Sequence, residues 1–272
     1  MYQAYWKLNE KPFGNTPDPR FLYPSPQHED ALMKLTYTIV ERMGAAMLTG
    51  VFGCGKTILG RAIQRDLGAD KYRFAFINHP HPEPLDLLRE IVRNLRAGAL
   101  PEKRTEIMAD ALLELLGSIL LDNARDGKET VILVDEAHAI TDDRAFEELR
   151  LLLNFQQEDR FLLTLLLVGQ PELNQKVETL KPFAQRIPIR CHVAQLSPQE
   201  TPAYIQHRLK VAGVETPLFE PEALAFIHER TGGIPRRINH LCDMTLLSGF
   251  GKQATQITLD IVKKTADEFG AA

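Results

Sequence analysis

Residues 50–57 read GVFGCGKT, that is glycine, four residues, then Gly-Lys-Thr. This spacing is that of a phosphate-binding loop, and the residue types explain themselves chemically. Gly50, Gly53 and Gly55 free the backbone to turn successive N–H groups inward, where they cradle phosphate oxygens. Lys56 would reach the β- and γ-phosphates, and the Thr57 hydroxyl would ligate Mg²⁺. A helix starting at Lys56 would add its positive end to the same site. Candidate nucleotide-binding positions therefore run through Gly50, Val51, Phe52, Gly53, Cys54, Gly55, Lys56, Thr57 and Ile58.

The neighbours of the loop supply the context it needs. Before it, Ala45 to Thr49 is a short apolar run suited to a buried parallel strand. After it, Ile58, Leu59, Ala62, Ile63 and Leu67 mark an amphipathic helix. Further out, strands are expected at Tyr72–Ile77, Val131–Val134, Phe161–Val168 and Pro188–Leu196. Helices are expected at about Gln27–Arg42, Pro84–Arg96, Lys103–Asn123 and Asp142–Gln157. Alternation of this kind implies a parallel sheet covered on both faces.

Beyond Ser197 the pattern becomes helical only. Ser197-Pro198-Gln199-Glu200 is a capping box with proline at the first helical position. Helices then fit Glu220–Thr231, Ile234–Phe250 and Leu259–Phe269. At the other end, prolines at 12, 17, 19, 24 and 26 forbid a helix and favour an extended arm. Its aromatics either fill grooves of the surface or wall an adenine pocket beside the loop. The division expected is an arm (1–26), an α/β core (27–196) and a helical lid (197–272).

Composition sets bounds. The 272 residues are 25% charged and 44% hydrophobic, as in an ordinary soluble globular protein. With 32 basic and 36 acidic residues the net charge is -4, which disfavours wholesale nucleic-acid binding while leaving room for a local basic patch. No apolar run is long enough to cross a bilayer. Three distant cysteines (54, 191, 242) suggest neither a disulfide framework nor a zinc site, and the cytoplasm is the simplest compartment.

Several residues carry candidate chemistry. Asp135-Glu136 closes an apolar strand 79 residues after Lys56, at the strand end where parallel sheets hold ligands. Asp135 would hold Mg²⁺ through its water shell, and Glu136 would orient and deprotonate the attacking water. Gln170 ends the next strand and is either a γ-phosphate sensor or a turn residue before Pro171. Arg186 and Arg190 are either arginine fingers reaching a neighbouring subunit's γ-phosphate or members of surface salt bridges. In GGIPRR (232–237), Arg236 stands in a helix's first turn, where basic residues are disfavoured, so it is assigned to an anionic partner, the bound nucleotide. His79 and His81 read as loop residues rather than metal ligands, His138 in DEAH as weak evidence, and Cys54 as a tolerated small residue.

Taken together, the loop, Asp135-Glu136, GQPEL (169–173) and GGIPRRIN (232–239) make the chain resemble the AAA+ ATPases of the general secretion pathway protein A (ExeA-like) type. KPFGNTPDPRFLYPSPQHEDAL, EELRLLLNFQ (147–156) and YIQHRLKVAG (204–213) are similar to that family as well. The resemblance implies an α/β P-loop NTPase fold, with a five-stranded parallel sheet in the order 5-1-4-3-2 and a C-terminal helical lid. It also implies ATP and Mg²⁺ as ligands, and hydrolysis in a homo-oligomer, a ring such as a hexamer. The roles of Lys56, Thr57, Asp135, Glu136 and Arg236 carry over by the match. Val51 and Phe52 stand where relatives often have a charged residue, which leaves the phosphate-contacting positions unaffected.

The family's work would be to energise envelope machinery, such as secretion, polysaccharide or pilus export, from the cytoplasm or peripheral to the inner membrane through a protein partner. Secretion members usually continue into a membrane span and a periplasmic domain, so a stand-alone ATPase domain is expected here. Two alternatives remain open: a DNA-transaction ATPase akin to transposition regulators or origin-recognition proteins, and a nucleotide-dependent scaffold with little turnover.

Overall fold

Five strands carry the α/β part of the chain: β1 (Ala45–Gly50), β2 (Tyr72–Ile77), β3 (Glu129–Val134), β4 (Leu163–Gly169) and β5 (Ile189–Val193). The computed structural model describes residues 1–95, 109–157 and 160–269. Its helices are α1 (Tyr2–Tyr5), α2 (Pro26–Val40), α3 (Lys56–Leu67), α4 (Pro84–Leu95), α5 (Ala109–Arg125) and α6 (Asp143–Leu152). There follow α7 (Glu172–Thr179), α8 (Lys181–Ala184), α9 (Glu200–Val211), α10 (Pro221–Thr231), α11 (Pro235–Gly251) and α12 (Leu259–Phe269). They group into two compact units, one of residues 29–50 and 59–193, the other of 1–28, 51–58 and 194–272.

In the first unit the strands run parallel in the order β2-β3-β4-β1-β5, the expected 5-1-4-3-2 read from the other edge. β1 and β4 are buried along their whole length, which is why their sequences are continuous apolar runs rather than alternating ones. Thr49 lies opposite Gly169, and Val134 opposite Leu167, so three strands end along one rim. α4 buries Leu87, Leu88, Ile91, Val92 and Leu95, the spacing of one helical face. α5 adds Leu112, Leu116 and Leu120, and α6 adds Phe146 and Leu149. Each such side chain contributes about 1.5–3 kcal/mol when fully buried.

Several boundaries differ from expectation. The helix foreseen over Lys103–Asn123 is described as α5 from Ala109 and runs on to Arg125; residues 103–108 of that expectation lie outside the described ones. α6 stops at Leu152, where the apolar period ends, and Gln156–Gln157 instead pairs antiparallel with Arg160–Phe161. α7 and α8 occupy the stretch after β4 to which no element was assigned; Pro171 is the N-cap of α7 and Pro182 lies in the first turn of α8, where a missing N–H costs no helical bond. β5 ends at Val193 rather than Leu196.

The second unit shows why that strand stops. The Gln27 side chain accepts from the Ala194 N–H at 2.7 Å, and the Leu196 N–H donates to the Gly233 carbonyl at 2.9 Å, so this backbone is satisfied without a strand neighbour. The reciprocal bonds of the capping box form, the Ser197 N–H donating to Glu200 Oε2 (2.7 Å) and the Glu200 N–H to Ser197 Oγ (3.2 Å), although α9 itself starts at Glu200 and Pro198 lies in the turn before it. The arm is not wholly extended. α1 precedes the first proline, and Pro19–Phe21 forms a 3₁₀ turn whose Arg20 N–H is taken by Asp18. Tyr2, Trp6 and Phe13 are buried with the apolar faces of α9 to α12, and buried Phe21 lies under the Arg208 guanidinium at 4.7 Å. Trp6 Nε1 donates to the Leu246 carbonyl (2.9 Å), and buried Arg208 donates to the carbonyls of Pro12 and Gly14. No helix among the described residues is long and apolar enough to cross a membrane.

Candidate functional site

The loop after β1 sits in the second unit with the segments that touch it. Gly53 and Gly55 have φ of +85° and +93°, the region that side-chain-bearing residues avoid. A Cβ on Gly53 would also lie 2.8 Å from the Arg236 Cβ, so glycine is what allows α11 to approach. Here the Arg236 N–H donates to the Gly53 carbonyl (3.2 Å), and its guanidinium lies 4.8 Å from the centre of the exposed Phe52 ring. Arg236, singled out from its position in a helix's first turn, is thus beside the loop.

Lys56 and Thr57 open α3, as expected, with Ile58 in the same turn. Lys56 is buried, and its Nζ folds back to donate to the Val51 carbonyl at 3.1 Å. Cys54 is fully buried, and burial pushes its thiol up to about 11 against the pull of Lys56. A cavity of about 600 Å³ opens beside the loop, with Val51, Ile234 and Met244 in its lining and Arg236 and Arg237 among its cations. Asn15 of the arm also lines it.

His28 escaped the sequence reading. Its Nε2 lies 2.9 Å from the Cys54 carbonyl and its Nδ1 2.6 Å from Ser25 Oγ, so Nε2–H donates to the loop while Nδ1 accepts from the serine. Burial holds its pKa below the usual histidine range, opposed by the bond to Cys54. The available signal was position: His28 heads the buried stripe Ala31, Leu35, Ile39 on α2.

The sheet rim carries the other candidates. Gly50 is opposite Val193 at the end of β1. Asp135 follows β3, is only 3% exposed, and receives the Glu136 N–H on Oδ1 (2.9 Å). Glu136 adopts φ 52°, ψ 31°, an uncommon conformation for a residue with a side chain and one that recurs where function demands it. It leads a 3₁₀ turn, Ala137–Ala139, that presents His138. His138 Nε2 lies 3.5 Å from Glu136 Oε2 and 2.9 Å from the side-chain nitrogen of Gln170, and the Gln170 backbone N–H donates to Nδ1 at 3.3 Å. Asp135, Glu136 and Gln170 therefore meet at one rim, with His138 between two of them.

The two arginines lie elsewhere in the same unit. Arg190 is opposite Met47, three residues back from Gly50, and is paired with Glu178. Arg186, between α8 and β5, donates to Asn154 Oδ1 at 3.4 Å.

The sequence matches the AAA domain family over residues 40–177. It is 38% identical over 259 residues to general secretion pathway protein A of Aeromonas hydrophila, covering 94% of this chain and 46% of that protein. The chain thus spans about half the length of that relative. Among solved structures it resembles the ORC2 protein of Aeropyrum pernix in its ADPNP-ADP complexes (TM-score 0.73, 18% identity, 97% of this chain and 72% of that one). It likewise resembles Cdc6p of Pyrobaculum aerophilum (TM-score 0.72, 20% identity, 92% and 71%).

Proposed function

The chain belongs to the AAA domain family, and from that premise we propose that it binds ATP on residues 50–58 and hydrolyses it to drive a protein assembly of the cell envelope. The observation that carries this reading is the rim: Glu136, in its left-handed conformation, stands directly after the buried Asp135. In the reading, backbone N–H groups of the loop and Lys56 hold the β- and γ-phosphates. Thr57 and Asp135 would hold Mg²⁺, since a hydroxyl and a carboxylate are the hard oxygen donors that ion takes. When bound, the ion neutralises phosphate charge. Glu136 takes a proton from the water that attacks the γ-phosphorus, and ADP leaves with the bridging oxygen. Gln170 senses the γ-phosphate, Arg236 reports it to α11, and Arg186 or Arg190 would serve a neighbouring copy in a homo-oligomer.

The envelope role rests on the similarity to general secretion pathway protein A, and the chain would act in the cytoplasm, reaching the inner membrane through a partner. Duplex DNA is the competing stimulus: the basic residues Arg230, Arg236 and Arg237 cluster at one cavity, although the net charge is -4. The test is steady-state ATP hydrolysis by the wild type and Glu136→Gln, with and without duplex DNA at two salt concentrations. We expect the variant to bind ATP, to turn over at least about tenfold more slowly and to accumulate as an oligomer. Unchanged turnover removes Glu136 as the base. Strong, salt-sensitive stimulation by DNA replaces the envelope reading with the DNA one.

A further inference from the structure

We propose that His138 is a positioning residue that couples Gln170 to Glu136, so that the state of the γ-phosphate sensor sets the aim of the base. The inference rests on the hydrolysis reading above and deepens it at the same site.

The imidazole's two nitrogens face different partners. The Gln170 backbone N–H points at Nδ1 from 3.3 Å, and a nitrogen that accepts there has no proton of its own. The ring proton is therefore on Nε2. Two acceptors compete for it. One is the Gln170 side-chain amide: its nitrogen is placed 2.9 Å away, and because a protonated Nε2 needs an acceptor there, the amide is assigned the flipped orientation that turns its oxygen to the ring. The other is Glu136 Oε2 at 3.5 Å, close enough to attract but too far for a full hydrogen bond. In this arrangement the proton goes to Gln170, and Glu136 is left half-engaged.

The surroundings hold the ring where this competition occurs. Lys176 of α7 donates to the carbonyls of His138 (2.6 Å) and Ile140 (2.7 Å), pinning the 3₁₀ turn from behind. Gly169 lets that turn close on β4, since a Cβ there would meet the His138 backbone nitrogen at 3.2 Å and the Leu173 side chain at 2.9 Å. A Gln170 amide that turns to a γ-phosphate releases the Nε2 proton to Glu136, which then holds the carboxylate by one oxygen and leaves the other for water. The step itself is unchanged: the water's O–H bond breaks toward Glu136 as its oxygen bonds to the γ-phosphorus.

Two substitutions separate coupling from scaffolding. Glutamine at 138 reaches as far as Nε2 and keeps a donor toward Glu136. Asparagine keeps only an acceptor near the Nδ1 position for the Gln170 N–H. We expect His138→Ala to lower kcat about tenfold with KM, affinity for a non-hydrolysable ATP analogue and melting temperature unchanged. His138→Gln restores most of that kcat and His138→Asn does not. Wild-type kcat in the alanine variant, or rescue by asparagine but not glutamine, overturns the coupling role while leaving the hydrolysis reading intact. A wild type without turnover sinks the hydrolysis reading alone if the ring contact persists. That contact is read without turnover from the His138 ring ¹⁵N spectrum, which Glu136→Gln should shift at Nε2; no shift overturns the proposal.

Discussion

His28 shows what a single buried side chain does to the pH response of its unit. Its folded pKa is depressed by burial, so between that value and about 6.5 the unfolded chain binds more protons than the folded one. The contribution of His28 is complete above about pH 6.5 and is lost as pH falls through that window. The melting temperature of the wild type should therefore fall from pH 7.5 to pH 5.5. His28→Gln, which cannot take up that proton, should melt lower at pH 7.5 but decline less steeply; parallel curves for the two proteins contradict the assignment. The histidine was hidden in the sequence because its partners, Ser25 and the Cys54 carbonyl, meet only once α2 reaches the loop. Lys56, Asp135 and Glu136 stand out in the sequence because each falls in a short local pattern, Gly-Lys-Thr after spaced glycines and an acidic pair closing an apolar run. Cys54 follows the same logic in reverse. It is fully buried with a thiol held near 11, and should resist a maleimide at pH 7 until the chain is denatured, as measured by intact mass; rapid native labelling would contradict its burial.

At the scale of elements, local signals succeeded wherever one face or one cap decided the structure. β2 and α12 match their expected bounds, and the box at Ser197–Glu200 closes reciprocally. Ser197→Ala should lower unfolding stability by about 1 kcal/mol, the usual worth of an N-terminal cap, in urea titrations. A loss below about 0.3 kcal/mol would mean that the Glu200 carboxylate suffices alone. Local signals failed where the deciding partner was distant. Ala194–Leu196 looks like strand, yet it is held by the Gln27 side chain and the Gly233 carbonyl. The two short helices after β4 have a proline at their N-cap or in their first turn and no long apolar period to announce them.

At the scale of the whole chain, strand order followed from the family resemblance, whereas the composition of the second unit did not. Its core joins Tyr2, Trp6 and Phe13 to Phe219, Leu246 and Val262. Replacing Trp6 with alanine should cost about 3–5 kcal/mol, measured by denaturant unfolding, because the indole is 5% exposed and its N–H serves the Leu246 carbonyl. A loss under 1 kcal/mol would mean that the arm is an accessory. The same union has a consequence for biosynthesis. The aromatic residues of the arm leave the ribosome some 250 residues before α12, which completes their core. At about 5–20 residues per second that interval is roughly 10–50 s. Through it, the newborn chain carries an unfinished apolar hook that a holdase chaperone would find before its own C-terminal helices do.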